Sequence, residues 1–314
     1  MAPLRIDTHH HVFPPLVKKA IENAPNLAQG LPPAAWSPEI ALNFMSRNGI
    51  EASILSCPMP LSVVTQSASE TASLAREVNE YLASIRDKYP KQFGLFAALP
   101  SIEDTELCIE EIRYALDVLK ADGVGLFTSY NEKYLGHPDF EPIWRELNAR
   151  KAVVFTHPTM EDIKNSIDEP FTIPRPLVDW THETTRAAVH LILTNTLRRC
   201  AADCRIILSH GGGTLPFVAE RVADLDMATH ASGKSPQEIL NEARSFYFDL
   251  ALVRGAAPLH LAFEFAADGH VLFGTDYPCL REDTVAKQCG ALKDETFLDS
   301  TRKAAETLFP RLAE

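Results

Sequence analysis

Four imidazoles and one carboxylate sit at separate points of this chain, each at the end of a short apolar run. His9 and His11 close the run Ile6-Asp7-Thr8-His9-His10-His11, and His157 follows Val153-Val154-Phe155-Thr156. His210 follows Ile206-Ile207-Leu208-Ser209, and Asp276 follows Val271-Leu272-Phe273-Gly274-Thr275. Neutral imidazole and carboxylate are the natural ligands of Zn²⁺ and other divalent first-row ions. Alternate residues of a strand point to one side, so His9 and His11 project together toward one ion while His10 turns the other way, into support or packing. A lone histidine at a strand end is ordinarily structural. Here several strand ends supply His9, His11, His157, His210 and Asp276, and chance is the poorer account. His137, His182, His190, His230, His260 and His270 lie in helices or loops without this arrangement and read as structural or surface groups.

The elements that must position these side chains show in the apolar pattern. Short apolar or alternating runs recur with helical stretches between them, which is the pattern of a parallel α/β fold. Strand candidates are 4–8, 52–56, 93–99, 123–128, 152–156, 205–209, 246–249 and 271–274. Of the helices between them, 103–120 is the clearest, with Leu107, Ile109, Ile112, Leu116 and Leu119 at near-helical spacing before Asp122-Gly123 stops it. Ser37-Pro38-Glu39 and Ser235-Pro236-Gln237 read as N-caps followed by proline at the first helical position. Eight strands alternating with helices give a (β/α)₈ barrel of the TIM type, expected as one domain over residues 1–314. Residues 14–36 and 158–180 depart from the alternation and read as long loops. In such a barrel they lie on the C-terminal face, where active sites are built, and they are the candidate walls and lid.

Composition narrows the partners. The formal net charge is −12, which argues against nucleic acid, since phosphate binding is driven by clustered Lys and Arg. An anionic substrate therefore needs local positive charge, and a divalent metal supplies it. No run approaches the roughly 18 consecutive apolar residues of a membrane span, and residues 1–15 lack a signal-peptide core, so a soluble cytoplasmic protein is expected. The six cysteines are scattered and read as reduced thiols, not as a disulfide framework. Gly211-Gly212-Gly213 lacks the Lys-Ser/Thr of a P-loop and reads as a tight strand-to-helix turn.

The motifs His-X-His after strand one, Thr-His-Pro after strand five, Ser-His-Gly-Gly-Gly after strand six and Gly-Thr-Asp-Tyr-Pro after strand eight resemble the amidohydrolase superfamily. Within it they look most like the nonoxidative decarboxylases typified by aminocarboxymuconate-semialdehyde decarboxylase, and the likeness covers nearly the whole chain. It implies that His9, His11, His157 and Asp276 bind one divalent metal ion, Zn²⁺ or alternatively Mn²⁺, with His210 beside the bound water or substrate. It also implies a homodimer or homotetramer. Binuclear members use a carboxylated Lys after strand four, where this chain has Gly125-Leu126-Phe127-Thr128-Ser129-Tyr130 and Lys133 stands too far along the loop. A mononuclear site is favoured.

The walls bear on the substrate. Aminocarboxymuconate-semialdehyde decarboxylases carry an Arg before the first long helix, but residues 23–36 here contain no cation, which argues against a dicarboxylate. The rim candidates Phe13, Pro58, Met59, Phe127, Tyr130 and Trp180 point collectively to a flat, apolar ligand, a small aromatic carboxylic acid. Residues 123–130 and 135–140 are similar to those of fungal 6-methylsalicylate decarboxylases, which implies conversion of 6-methylsalicylate to 3-methylphenol and CO₂ in polyketide secondary metabolism. In the expected chemistry Asp276 delivers a proton to the ring carbon bearing the carboxylate, and His210 stabilises charge on the oxygens. The competing expectation is a metal-dependent hydrolase of the same superfamily, such as a lactonase, in which Asp276 takes a proton from water. A noncatalytic metal-binding barrel is the third reading.

Overall fold

Parallel strands need a crossover between them, and here helices supply it. The computed structural model describes residues 4–23, 35–159, 169–292 and 294–313. The strands are β1 (Arg5–His11), β2 (Ile50–Ser56), β3 (Phe93–Ala97), β4 (Gly123–Phe127), β5 (Ser129–Tyr130), β6 (Lys133–Tyr134), β7 (Val153–His157), β8 (Arg205–Leu208), β9 (Tyr247–Asp249) and β10 (Val271–Leu272). Eight of them form one sheet in the order β1-β2-β3-β4-β7-β8-β9-β10. The ring closes beyond the end of β10, where Thr8 N–H donates to the Phe273 carbonyl at 2.9 Å, Asp276 N–H to His9 at 2.8 Å, and His11 N–H to Tyr277 at 2.7 Å. This is the (β/α)₈ barrel expected from the alternation.

Side-chain alternation divides the core in two. Ile6, Ile54, Phe96, Val153, Phe155, Ile207 and Leu272 fill the barrel, with Phe96 and Phe155 stacked at a centroid distance of 5.2 Å. The helix Glu295–Leu308 adds Ala304, Ala305 and Leu308 to that cluster, with Phe309 just beyond it. Leu95, Val124, Leu126, Val154 and Leu208 face outward and pack with the helices in the larger apolar cluster.

The capping signals are present as expected. Ser37 accepts from Ile40 N–H, and Ser235 forms a full capping box with Glu238. Ser235→Ala removes the hydroxyl that accepts from Glu238 N–H, while the backbone N–H of residue 235 can still donate to the Glu238 carboxylate. We expect it to destabilise the fold by about 1 kcal/mol, read as a lowered denaturation midpoint at unchanged activity.

Four stretches differ from the sequence reading. The stretch 14–36, expected as a loop, contains the helix Pro15–Glu22, and residues 24–34 lie outside the described residues. In the stretch 158–180 residues 160–168 lie outside them too, while Trp180 belongs to the first turn of the helix Asp179–Leu193. The helix expected over 103–120 is α-helical only at Thr105–Arg113. It then widens into a π turn at Tyr114–Val118, where Leu119 N–H reaches back to the Tyr114 carbonyl at 3.0 Å. The antiparallel pair β5–β6 had not been expected. Its turn residues Asn131 and Glu132 both adopt positive φ, which a tight hairpin demands but which Glu does not advertise.

Candidate metal centre and active site

A one-residue bulge in β1 aims the histidines. Between Asp7 and His10, β1 spends three residues while β2 spends two, Ser53 to Leu55. Strict alternation from the inward-facing Ile6 would have turned His10 into the barrel. With the bulge, His9 and His11 face the interior, and His10 packs outside, where its Nδ1 lies 3.2 Å from Asp7 and its Nε2 accepts from the Trp36 indole at 3.1 Å. His157 ends β7, and Asp276 and His210 occupy the left-handed region at φ 58 and 56. All five side chains are buried.

The sheet thus delivers His9, His11, His157 and Asp276 to one point, with one donor atom from each lying within 4.8 Å of the others. Each imidazole commits its Nδ1 elsewhere: His9 to Asp249 at 3.0 Å, His11 to the Ser56 hydroxyl at 3.0 Å, and His157 to the Pro158 carbonyl at 2.9 Å. A carbonyl and a carboxylate only accept, so Nδ1 of His9 and His157 carries the proton and Nε2 keeps its lone pair. The Ser56 hydroxyl donates to the His10 carbonyl, which leaves it to accept from His11. The Nε2 atoms of His9 and His11 then face each other at 3.0 Å, and His157 Nε2 is buried with no hydrogen-bond partner. Three converging lone pairs beside a carboxylate fit a divalent cation. Lys133 does not join them: it pairs with Asp139 and Glu103 instead.

The electrostatics agree. Burial, reinforced by the neighbouring imidazoles, holds His157 well below the usual imidazole value, and burial lowers His11 despite its contact with Asp276. Burial also opposes charge on His9, but Asp249, Asp276 and Asp7 outweigh it and raise that group. For Asp276 burial works upward, yet His11, His210 and His9 prevail and keep the carboxyl well below the usual carboxylate range. Its two oxygens face different ways. Oδ1 lies 3.1 Å from His11 Nε2 and 3.5 Å from His9 Nε2, whereas Oδ2 faces His210 Nε2 at 3.6 Å. Both ring nitrogens of His210 are buried without a hydrogen-bond partner.

A narrow pocket opens beside His157, with a largely apolar lining that includes Met59, Phe127 and Phe155. Among the rim candidates, Met59 and Phe127 line it; Phe13, Tyr130 and Trp180 do not. Tyr130 is a support: it is buried against Phe140, and its hydroxyl accepts from Phe127 N–H at 3.1 Å. Trp180 stands edge-on to His157 at a centroid distance of 5.6 Å, its indole nitrogen buried and unpartnered. Phe13 is half-buried two residues beyond His11.

Two carboxylates that position the site were missed by the sequence reading. Asp249 holds His9 through Oδ2 while its Oδ1 accepts from the backbone N–H of His210 and Ala251. Asp7 accepts from His9 N–H, Thr275 N–H and the Thr275 hydroxyl, tying the start of the barrel to its last crossing. Asp249 carried the same signal as the recognised residues, a polar residue ending an apolar run. Asp249→Asn keeps the shape but loses the carboxylate that orients His9, and we expect metal affinity to fall by roughly 10- to 100-fold. Titration against a chelating indicator measures this.

The eight-stranded barrel brings three histidines and an aspartate together beyond the C-terminal ends of its strands, a set able to hold a divalent ion, and the amidohydrolase family model matches residues 6–306. The chain belongs to that family. Its relatives include a decarboxylase of Penicillium terrestre, 42% identical over 98% of this chain and 95% of that one. Another is a 6-methylsalicylic acid decarboxylase of Aspergillus aculeatus, 41% identical over 98% of this chain and 97% of that one. Among solved structures, an amidohydrolase II superposes with a TM-score of 0.86 at 27% identity, covering 99% of this chain and all of that one.

Proposed function

We propose that this protein is a metal-dependent, nonoxidative carboxy-lyase that converts 6-methylsalicylate to 3-methylphenol and CO₂, with His9, His11, His157 and Asp276 holding one divalent ion. The observation that carries this reading is the convergence of buried Nε2 lone pairs and the Asp276 carboxylate beside an apolar pocket. Kinship with fungal decarboxylases over nearly the full length supports the reaction class. When bound, the ion supplies an electrophilic centre able to chelate the carboxylate and phenolic oxygens of an ortho-hydroxybenzoate. Three nitrogens and one oxygen suit Zn²⁺, with Mn²⁺ the alternative.

The protein's own groups then account for the proton. Asp276, held ionised by its imidazole neighbours, accepts the phenolic proton through Oδ2 and hands it to the ring carbon that bears the carboxylate. The bond from that carbon to the carboxylate breaks, its electron pair returns to the ring, CO₂ leaves, and the phenolate regains a proton from water. His210, whose ring nitrogens have no hydrogen-bond partner, donates to the substrate oxygen on which charge builds. Met59 and Phe127 supply apolar surroundings for the ring.

Product analysis tests the reading: a carboxy-lyase releases CO₂ and 3-methylphenol in equal amounts, whereas a lactonase yields a ring-opened acid and no CO₂.

We further propose a single barrel domain acting in the cytoplasm as a homodimer or homotetramer. Free cysteines suit a reducing compartment, and among the described residues no helix is long and apolar enough to cross a membrane. Phe171, Leu177 and Phe217 are exposed at 67%, 70% and 81% on the segments after β7 and β8, an apolar surface suited to self-association. Sedimentation of the wild type and of Phe217→Ser checks this, with a shift toward monomer expected in the variant.

A further inference from the structure

TIM-type barrels are filled by layers of bulky branched side chains. One side of this barrel departs from that rule. Register puts Gly125 of β4 beside Phe155 of β7, and Ala98 follows β3 on the other flank of β4. Gly125, Ala98 and the Ser56 that ends β2 all line the pocket reaching His157. Three neighbouring strands thus supply only small side chains at this level, while the strands flanking them, β7 and β1, bring the rings of Phe155 and His9 together at a centroid distance of 4.9 Å. The Ala98 backbone is pinned on both sides by the Asn79 amide at 2.8 Å, so this wall is fixed.

The glycines of β3 and β4 separate what the fold needs from what the pocket needs. A Cβ on Gly94 would lie 2.5 Å from Ile54 Cδ1, and one on Gly123 would lie 2.5 Å from the Val153 carbonyl oxygen. At Gly123 the clash is with backbone and the barrel leaves no room; at Gly94 the side chains of Ile54 and Asp122 would have to shift. A Cβ on Gly125 would meet nothing nearer than the Ala97 carbonyl oxygen at 3.7 Å, an ordinary contact, and Gly125 is not among the positive-φ residues. Glycine inside a strand is unfavourable through entropy and lost packing, and often marks a close approach by a ligand. The fold has no use for it at this position, but the pocket does.

We propose that Gly125, with Ala98 beside it, forms the recess that admits the ring substituent of the aromatic acid and so decides which substituted hydroxybenzoates this enzyme accepts. The inference rests on the decarboxylase reading above. A side chain at Gly125 occupies that recess and acts against a substituted ring more than against a bare one. The experiment compares kcat/KM for 6-methylsalicylate and for salicylate in the wild type, Gly125→Ala and Gly125→Val, with thermal unfolding and metal content recorded for each. The 6-methylsalicylate to salicylate ratio should fall in the Ala variant and further in the Val variant, by roughly 10- to 200-fold, the range for a methyl-sized mismatch in an apolar pocket. The loss should appear chiefly in KM. If Val disrupts β4, the Ala variant, whose Cβ has room, carries the test alone. An unchanged ratio in a folded, metal-loaded variant overturns the recess while leaving the decarboxylase reading intact. A wild type inactive on both acids overturns that reading and this inference with it.

Discussion

Asp276→Asn should fold normally, keep part of its metal and lose turnover by roughly 10²- to 10⁴-fold, the span that general acid–base groups contribute. Asparagine is well chosen for this position. The residue sits at φ 58, a left-handed conformation that Asn adopts nearly as readily as Asp. The side-chain oxygen can still face His9 and His11, but the amide can neither accept the phenolic proton nor deliver it to carbon. Metal content by atomic absorption separates loss of the ion from loss of the proton carrier. Normal turnover in a metal-loaded Asn variant would remove Asp276 from that role.

His9→Ala should lose both metal and turnover. His9 is fully buried, touches His11 and Asp276 through Nε2, and is gripped by Asp249 through Nδ1. Its removal deletes one of three nitrogen donors and leaves the buried Asp249 with only backbone N–H groups as partners. Metal content well below one per chain is expected, with product formation at the background of the metal-free protein. Circular dichroism and unfolding midpoint show whether the barrel survives. Asp276→Asn keeping metal where His9→Ala loses it is the contrast that separates a ligand that also moves a proton from a ligand alone. Full metal occupancy and activity in His9→Ala would contradict the ligand set.

The barrel was legible in the sequence because each strand is a short apolar run closed by a polar residue, a pattern that survives without knowledge of neighbours. The same pattern exposed His157, His210 and Asp276. What it hid was geometry that depends on pairing. The bulge in β1 is defined only against β2, and without it Ile6 and His9 could not both face inward. Asp7 reads locally as a strand residue, and its role appears only when β1 meets the segment after β10. Rim residues were the least legible. Tyr130 turned into a support through the β5–β6 hairpin, whose Asn131-Glu132 turn lacks the usual glycine, while the pocket's small residues Ala98 and Gly125 offer no chemical signal at all.

In the proposed reaction Asp276 and the metal ligands replace a ring carboxylate by a proton. The most direct measurement is incubation of metal-replete protein with 6-methylsalicylate in D₂O, alongside a chelator-stripped sample, with the product examined by chromatography and NMR. The expected product is 3-methylphenol carrying deuterium at the carbon between the hydroxyl- and methyl-bearing positions, formed only by the metal-replete sample. Verified metal-loaded protein that forms no 3-methylphenol, or formation undiminished after metal removal, would contradict that reaction.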